Sequence, residues 1–178
     1  MVKKKLEIEN LSARHPGLTQ PLADSYTEAA RVCLDRHHES PQIFSLNNEK
    51  EILDAEVEWI KTTDKIRAAW ANEIDTTEAG AYAVAIAAVE ISESLFAVRR
   101  AETGTGADYY IASEKSNIND LEKAIRLEVS GIDVANEVMV NYRLNQKVKQ
   151  AKLGNSNLPA MATVVGFQPK IIKLKKID

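Results

Sequence analysis

Two short stretches decide how this chain is interpreted: Gly104-Thr105-Gly106-Ala107-Asp108-Tyr109-Tyr110-Ile111 and Arg126-Leu127-Glu128-Val129-Ser130-Gly131. Each contains a carboxylate within a run of β-forming residues, where a charge is costly unless it has a partner or a metal. If the two runs form neighbouring strands, Asp108 and Glu128 point to one spot. The pair therefore predicts a site for a shared divalent cation.

The composition is that of an ordinary globular protein. The chain has 178 residues, of which 44% are hydrophobic and 28% charged, and this favours a single domain over 1–178. The net charge of −3 argues against a general polyanion binder. No apolar run is long enough to span a bilayer, and the basic N-terminus lacks the apolar stretch of a secretory signal. Together with the lone Cys33, these features predict a cytoplasmic protein without a membrane partner.

Hydrophobic periodicity and turn residues predict the order of helices and strands. The N-terminal part is expected to be mainly helical, with strands and helices at about 3–9, 24–37, 42–46 and 49–74. The rest predicts helix, strand, strand, helix and two strands, at about 75–100, 107–112, 123–129, 134–153, 160–167 and 170–174. A polar turn at 113–120 joins the first two of these strands into a hairpin. The predicted fold class is α+β (α/β), with a mixed central sheet flanked by helices.

Three short motifs in this order each contain an acid: Thr77-Glu78-Ala79-Gly80-Ala81, Gly104-Thr105-Gly106-Ala107-Asp108 and Leu127-Glu128-Val129-Ser130. They are similar to the Glu-x-x-Ala, Gly-x-x-Asp and Val-Glu-Val-Lys signatures of Holliday-junction-resolvase-like members of the PD-(D/E)XK nuclease superfamily. The resemblance covers about residues 75–167 and implies a restriction-endonuclease-like core. Residues 1–74 are then an N-terminal extension.

The resemblance implies a phosphodiester hydrolase that acts on DNA or RNA and depends on Mg²⁺ or Mn²⁺. In such a site Asp108 and Glu128 would bind the metal directly, and Glu78 would bind it through water or orient the site. Glu90 and Glu93 are alternatives for the role on the helix. A hard cation prefers oxygen ligands and keeps several waters, so two or three carboxylates plus phosphate oxygens suffice.

The chain departs from the family at Ser130, where active members usually carry a lysine that offsets negative charge in the transition state. Arg126 has the same strand parity as Glu128, and Lys147 and Lys149 on the following helix are further candidates for the missing cation. If none serves, the implied alternative is a catalytically degenerate module that binds nucleic acid or a partner protein. A lysine that reaches the acids favours the hydrolase, and a filled, apolar pocket favours the module.

Each acid also has an ordinary structural explanation. Asp108 could cap the turn beside Gly106, and Glu128 could pair with Lys123 across the hairpin or lie on an exposed strand face. The occurrence of both acids in the family's order favours the nuclease-like interpretation. A helical scaffold without a site is the weakest alternative.

Two further patterns in the sequence bear on a binding role. The neighbouring His37 and His38 would point about 100° apart on a helix, which favours a helix end over a shared metal. The basic residues from Arg143 to Lys176 predict either a local basic face or a solvated helix followed by an edge strand guarded by lysines.

Overall fold

The computed structural model describes residues 2–114 and 119–178, which form one mixed sheet covered by helices on both faces. The strands of this part of the chain are β1 (Lys3–Lys5), β2 (Gln42–Asn47), β3 (Ile52–Val57), β4 (Phe96–Arg100), β5 (Tyr109–Ala112), β6 (Ile125–Ile132), β7 (Ala160–Gly166) and β8 (Ile171–Ile177). Its helices are α1 (Leu11–Arg14), α2 (Gln20–Asp35), α3 (Asp64–Ala69), α4 (Glu73–Glu93) and α5 (Glu137–Leu153). The mixed α/β class is confirmed, and a helical scaffold is excluded.

The strands lie in the order β1-β3-β2-β8-β7-β6-β5-β4. β4, β5 and β6 form an antiparallel meander, and β6 pairs with β7 in parallel because α5 carries the chain back across the sheet. β8 lies between β2 and β7. The prediction of an edge strand at 170–174 is therefore wrong, and the edges of the sheet are β1 and β4.

The helices form a layer on each face of the sheet. Met161 and Val165 of β7 belong to the apolar cluster that contains α2 and α4, whereas the alternate residues Ala162 and Val164 pack against α5. On β6, a Cβ at Gly131 would lie 2.7 Å from the carbonyl oxygen of Thr77. The N-terminal half of α4 therefore lies directly against β6.

The N-terminal part contains one strand more than predicted, and the helix predicted at 49–74 is wrong. Three strands lie there, and the last of them, β3, buries its alternate residues Leu53, Ala55 and Val57. α3 covers only six residues of the predicted helix. The period of two in β3 is that of a strand with one buried face.

The helix predicted at 75–100 is also too long at its C-terminal end. α4 ends at Glu93, because Ser94 adopts the left-handed conformation with a φ of 54° and its amide donates to the carbonyl of Glu90. The residues that follow form β4, which pairs with β5 and adds a third strand to the predicted hairpin. Of the predicted polar turn at 113–120, residues 115–118 lie outside the described residues.

Candidate active site

Asp108 and Glu128 lie opposite each other at the point where β5 and β6 separate. The register pairs Tyr109 with Leu127, so the next residue pair along is Asp108 and Glu128. The amide of Asp108 still donates to the carbonyl of Leu127 at 2.7 Å. Its carboxylate Oδ2 then accepts from the amide of Val129 at 2.8 Å. The carboxylate thus takes the place of a backbone acceptor, which fixes its position at the end of the strand.

The loop before β5 is fixed by a buried arginine. Arg126 is 5% exposed and donates to the carbonyl oxygens of Thr105, Ala151 and Leu158 at 2.6, 3.0 and 3.1 Å. Gly106 in this loop has a φ of 68°, a conformation that glycine adopts without strain. Arg126 therefore ties the loop to the end of α5. Its guanidinium is engaged by these carbonyl oxygens, so Arg126 is not the cation that compensates for the missing lysine.

Lys147 of α5 reaches Glu128 of the acid pair. Its Nζ donates to Oε1 of Glu128 at 2.9 Å, and its side chain is 21% exposed. Lys149 is exposed and lies two residues further along the helix, about 200° around its axis. Of the two lysines that the sequence offered, only Lys147 contacts an acid of the pair. Lys123, the partner that the sequence offered for Glu128 across the hairpin, does not take this position.

The spacing of β6 matches the turns of α5. Residues two apart on a strand are about 6.6 Å apart, and residues four apart on a helix are about 6 Å apart. α5 runs antiparallel to β6. Each step of two residues forward along β6 is therefore matched by a step of four residues backward along α5. The resulting contacts join Arg126 to Ala151, Glu128 to Lys147 and Ser130 to Arg143.

The acid pair is electrostatically strained. Glu128 is only 4% exposed. Burial, followed by repulsion from the Asp108 carboxylate, raises the pKa of Glu128 to about 7, although Lys147 opposes this shift. Near neutral pH this site therefore holds a carboxyl group that gives up its proton readily once another positive charge is nearby.

The substitution Glu128→Gln is expected to remove a pH dependence of stability. The native carboxyl keeps its proton while the unfolded one, with a pKa of about 4.5, loses it. The wild-type free energy of unfolding therefore falls as pH rises from about 4.5 through about 7. The amide does not titrate, so the fall of about 2–3 kcal/mol that wild type should show between about pH 5 and about pH 8 should be absent from the variant.

Urea unfolding at about pH 5 and about pH 8 checks this expectation. The exposed Glu39→Gln serves as the control and should follow the wild-type profile. An equal fall in the unfolding free energy of wild type and Glu128→Gln between the two pH values would contradict the account.

Two further side chains hold Asp108, and the sequence analysis missed both. The hydroxyl of Tyr82 donates to Oδ1 of Asp108 at 2.9 Å, and burial followed by this carboxylate raises the pKa of Tyr82, which keeps it a donor. The guanidinium of Arg100 lies 5.1 and 5.0 Å from the ring centroids of Tyr82 and Tyr109 and donates to the carbonyl of Asp108 at 2.7 Å. Tyr82 lies one helical turn after Glu78, a spacing that the sequence displays. The contribution of Arg100 was missed because residues 75–100 were predicted to form one helix.

Glu78 is the acid of α4 that borders this site. It is exposed in the N-terminal half of the helix and lines the cavity that contains Asp108 and Glu128 as well as a second cavity that adjoins it. Glu90 and Glu93 lie at the other end of the helix, where they pair with Arg14 and Lys176. The two alternatives for the helical acid are therefore engaged elsewhere.

The acids open into a cleft of about 380 Å³, the acid cleft, whose charged lining residues are Glu78, Arg100, Glu102, Asp108, Glu128 and Lys147. Ser130 does not line it. Ser130 lines an adjoining groove instead, where its hydroxyl accepts a hydrogen bond from Arg143 at 3.0 Å. The predicted residues Glu78, Asp108 and Glu128 thus come together in one cleft, and Ser130 lies outside it.

The chain was compared with protein-family models, curated proteins and solved structures. None of these matches it. The assignment of a function therefore depends on the geometry of the acid cleft.

Over residues 2–114 and 119–178, no group of three or more His, Cys, Asp or Glu side chains is arranged to hold a metal ion. In the same residues, no helix is both long and apolar enough to cross a membrane. His37 and His38 follow α2 and bind separately, to Asp133 and to the carbonyl of Phe167 at 2.9 and 2.8 Å. The expected position of the two histidines at the end of a helix is confirmed.

Proposed function

We propose that this chain is a metal-dependent phosphodiester hydrolase of the PD-(D/E)XK type that acts on DNA or RNA. The observation that carries the proposal is the meeting of Asp108, Glu128 and Lys147 in one charged cleft. Two acids and a lysine from separate elements converge there, although Ser130 occupies the position at which the family usually has its lysine.

The order of the elements supports a restriction-endonuclease-like core at about 75–167. α4 brings Glu78 to the cleft, β5 and β6 bring one acid each, and α5 returns the chain to a parallel strand and supplies Lys147. This is the arrangement that the resemblance implies, with an acid on the first helix, an Asp after a glycine-containing turn and a Glu on the next strand.

The donor set fits Mg²⁺ or Mn²⁺ because these ions accept two carboxylates and complete their coordination with water and phosphate oxygens. The repulsion between Asp108 and Glu128 is the electrostatic condition that a divalent cation relieves. A cation bound there would activate a water molecule and neutralise charge on the phosphoryl oxygens.

The protein's own side chains have distinct roles in this proposal. Val129 and Tyr82 hold the Asp108 carboxylate in place through hydrogen bonds. Lys147 offsets the negative charge that develops on the phosphoryl group, the task that the uncharged Ser130 cannot perform. Arg100, stacked against two tyrosine rings, offers further donors to a phosphate oxygen.

The alternative is a catalytically degenerate module that binds nucleic acid or a protein. It predicts a filled, apolar pocket beside the acids. The acid cleft has a volume of about 380 Å³ and six charged residues in its lining, and Lys147 contacts the acid pair. These observations support the hydrolase over the binding module.

The proposal is tested by hydrolysis of labelled DNA and RNA with Mg²⁺ or Mn²⁺. Asp108→Asn keeps the size of the side chain but removes its charge, and it should lower the cleavage rate by about a thousandfold or more. The control is Glu93→Gln, an acid of α4 paired away from the cleft, which should cleave at the wild-type rate. Wild-type protein that cleaves neither nucleic acid, or an Asp108→Asn variant with full activity, would overturn the proposal.

A further inference from the structure

A second cavity adjoins the acid cleft. This side groove has a volume of about 540 Å³ and lies between the first turns of α4, the end of β6 and α5. It shares Glu78, Val129 and Lys147 with the acid cleft. A polymer bound across the acid pair therefore has a neighbouring cavity that can take its next unit.

The side groove combines apolar surface with an anchored cation. Ile74 is 79% exposed although it is a large apolar residue, and it lines the groove together with Ile132. Arg143 lines the same groove and is held by the hydroxyl of Ser130 at 3.0 Å. Exposed apolar surface favours a ligand that covers it, and a held guanidinium favours a phosphate.

The acids of the groove do not cancel this cation. Asp133 contacts His37 at 2.9 Å and Arg36 at 3.4 Å, so its charge is compensated within the protein. The two remaining acids, Glu73 and Glu78, lie on α4, whereas Arg143 belongs to α5 on the opposite wall. The α4 wall therefore presents Ile74 between two acids, and the α5 wall presents Arg143 and Lys147.

We propose that the side groove binds one unpaired nucleotide next to the scissile phosphate, with its base on Ile74 and its phosphate on Arg143. The inference depends on the function proposed above and narrows the substrate class to single-stranded nucleic acid or to single-stranded regions of a branched one. Ser130 then has a role as well, because its hydroxyl holds Arg143 in position.

An unpaired strand fits the groove better than a duplex. In a duplex the bases are stacked inside, and a protein meets mainly the phosphate backbone, which requires many cations. This chain has a net charge of −3. In an unpaired strand the bases are free to lie on an apolar surface while a few cations hold the phosphates.

Fluorescence anisotropy tests the inference with Ca²⁺ as the divalent cation. The probes are a labelled oligothymidylate and a duplex of the same length, formed with its complement. Wild type should bind the single strand at least about fivefold more tightly than the duplex. Ile74→Ser and Arg143→Gln should each weaken binding of the single strand by about fivefold and binding of the duplex by less than about twofold.

Two matched controls identify the surface. Ile60 is 71% exposed and Lys152 is exposed, and both lie outside the two cavities. Ile60→Ser and Lys152→Gln should bind the single strand as wild type does. Equal affinity for both probes, binding of neither probe, or an Ile74→Ser variant that behaves like Ile60→Ser would overturn the inference.

The failure of this inference is distinguishable from the failure of the proposed function, because the binding assay does not measure cleavage. Hydrolysis that depends on Asp108, combined with a silent Ile74→Ser, overturns the groove and keeps the hydrolase. Selective binding that depends on Ile74, without any hydrolysis by wild type, supports the groove and overturns the hydrolase.

Discussion

Lys147→Met is expected to reduce hydrolysis by about a hundredfold to a thousandfold while divalent-cation binding is retained. Lys147 contacts Glu128 of the acid pair at 2.9 Å, and Ser130 provides no charge. Methionine has a similar length and apolar stem but carries no charge. The loss should appear in kcat, because the lysine acts on charge that develops during the reaction.

The neighbouring lysine provides a matched control. Lys149→Met removes the same charge from the same helix, but the side chain is exposed and lies on a different side, so its cleavage rate should stay within about threefold of wild type. Lys147→Arg should restore part of the lost activity. An equal loss in Lys147→Met and Lys149→Met would show that general attraction of nucleic acid, and not a defined role of Lys147, explains the effect.

Arg126→Met should lower the free energy of unfolding by about 2–4 kcal/mol, measured by urea denaturation. Arg126 is buried and donates to three carbonyl oxygens, which belong to the loop before β5, the end of α5 and the residues before β7. Methionine fills much of the space but leaves these carbonyls without their donor.

The exposed Arg99 is the control for this substitution. Its guanidinium pairs with Glu102 at the surface, so Arg99→Met should change the free energy of unfolding by less than about 1 kcal/mol. Hydrogen exchange of the Asn155 amide, which donates to the carbonyl of Gly104 in this loop at 3.0 Å, should also accelerate in Arg126→Met, since the loop loses its anchor. Equal stabilities of Arg126→Met and Arg99→Met would contradict the structural role of Arg126.

The juxtaposition of Asp108 and Glu128 followed from the sequence because two strands joined as a hairpin place their residues opposite each other in register. The choice among Arg126, Lys147 and Lys149 did not follow from it. That choice depends on the rotation of α5 about its axis relative to β6, which packing sets and sequence spacing does not. Arg126 lies on the same face of β6 as Glu128. It faces Ala151, however, which is one turn of α5 away from Lys147, and it binds carbonyl oxygens.

The strand β3 in the N-terminal part was missed because of its composition. β3 has the sequence Ile-Leu-Asp-Ala-Glu-Val, and its Leu, Ala and Glu residues favour helices by propensity, whereas its alternate burial shows a strand.

The end of α4 was missed because Ser94 adopts the left-handed conformation, which glycine or asparagine usually adopts at this position. The lysines of β8 resembled those of an edge strand, but Lys173 donates to Glu137 and Asn141 of α5, which covers an interior strand.

Asp108 and Glu128 are proposed to hold a divalent cation together, and calorimetric titration with Mn²⁺ measures this binding. The wild type should bind the ion, and binding should tighten from about pH 6 to about pH 8 as Glu128 loses its proton. A folded Asp108→Asn/Glu128→Gln variant should show no binding. Binding that is unchanged in this variant, or no binding by folded wild type at about pH 8, would contradict the account.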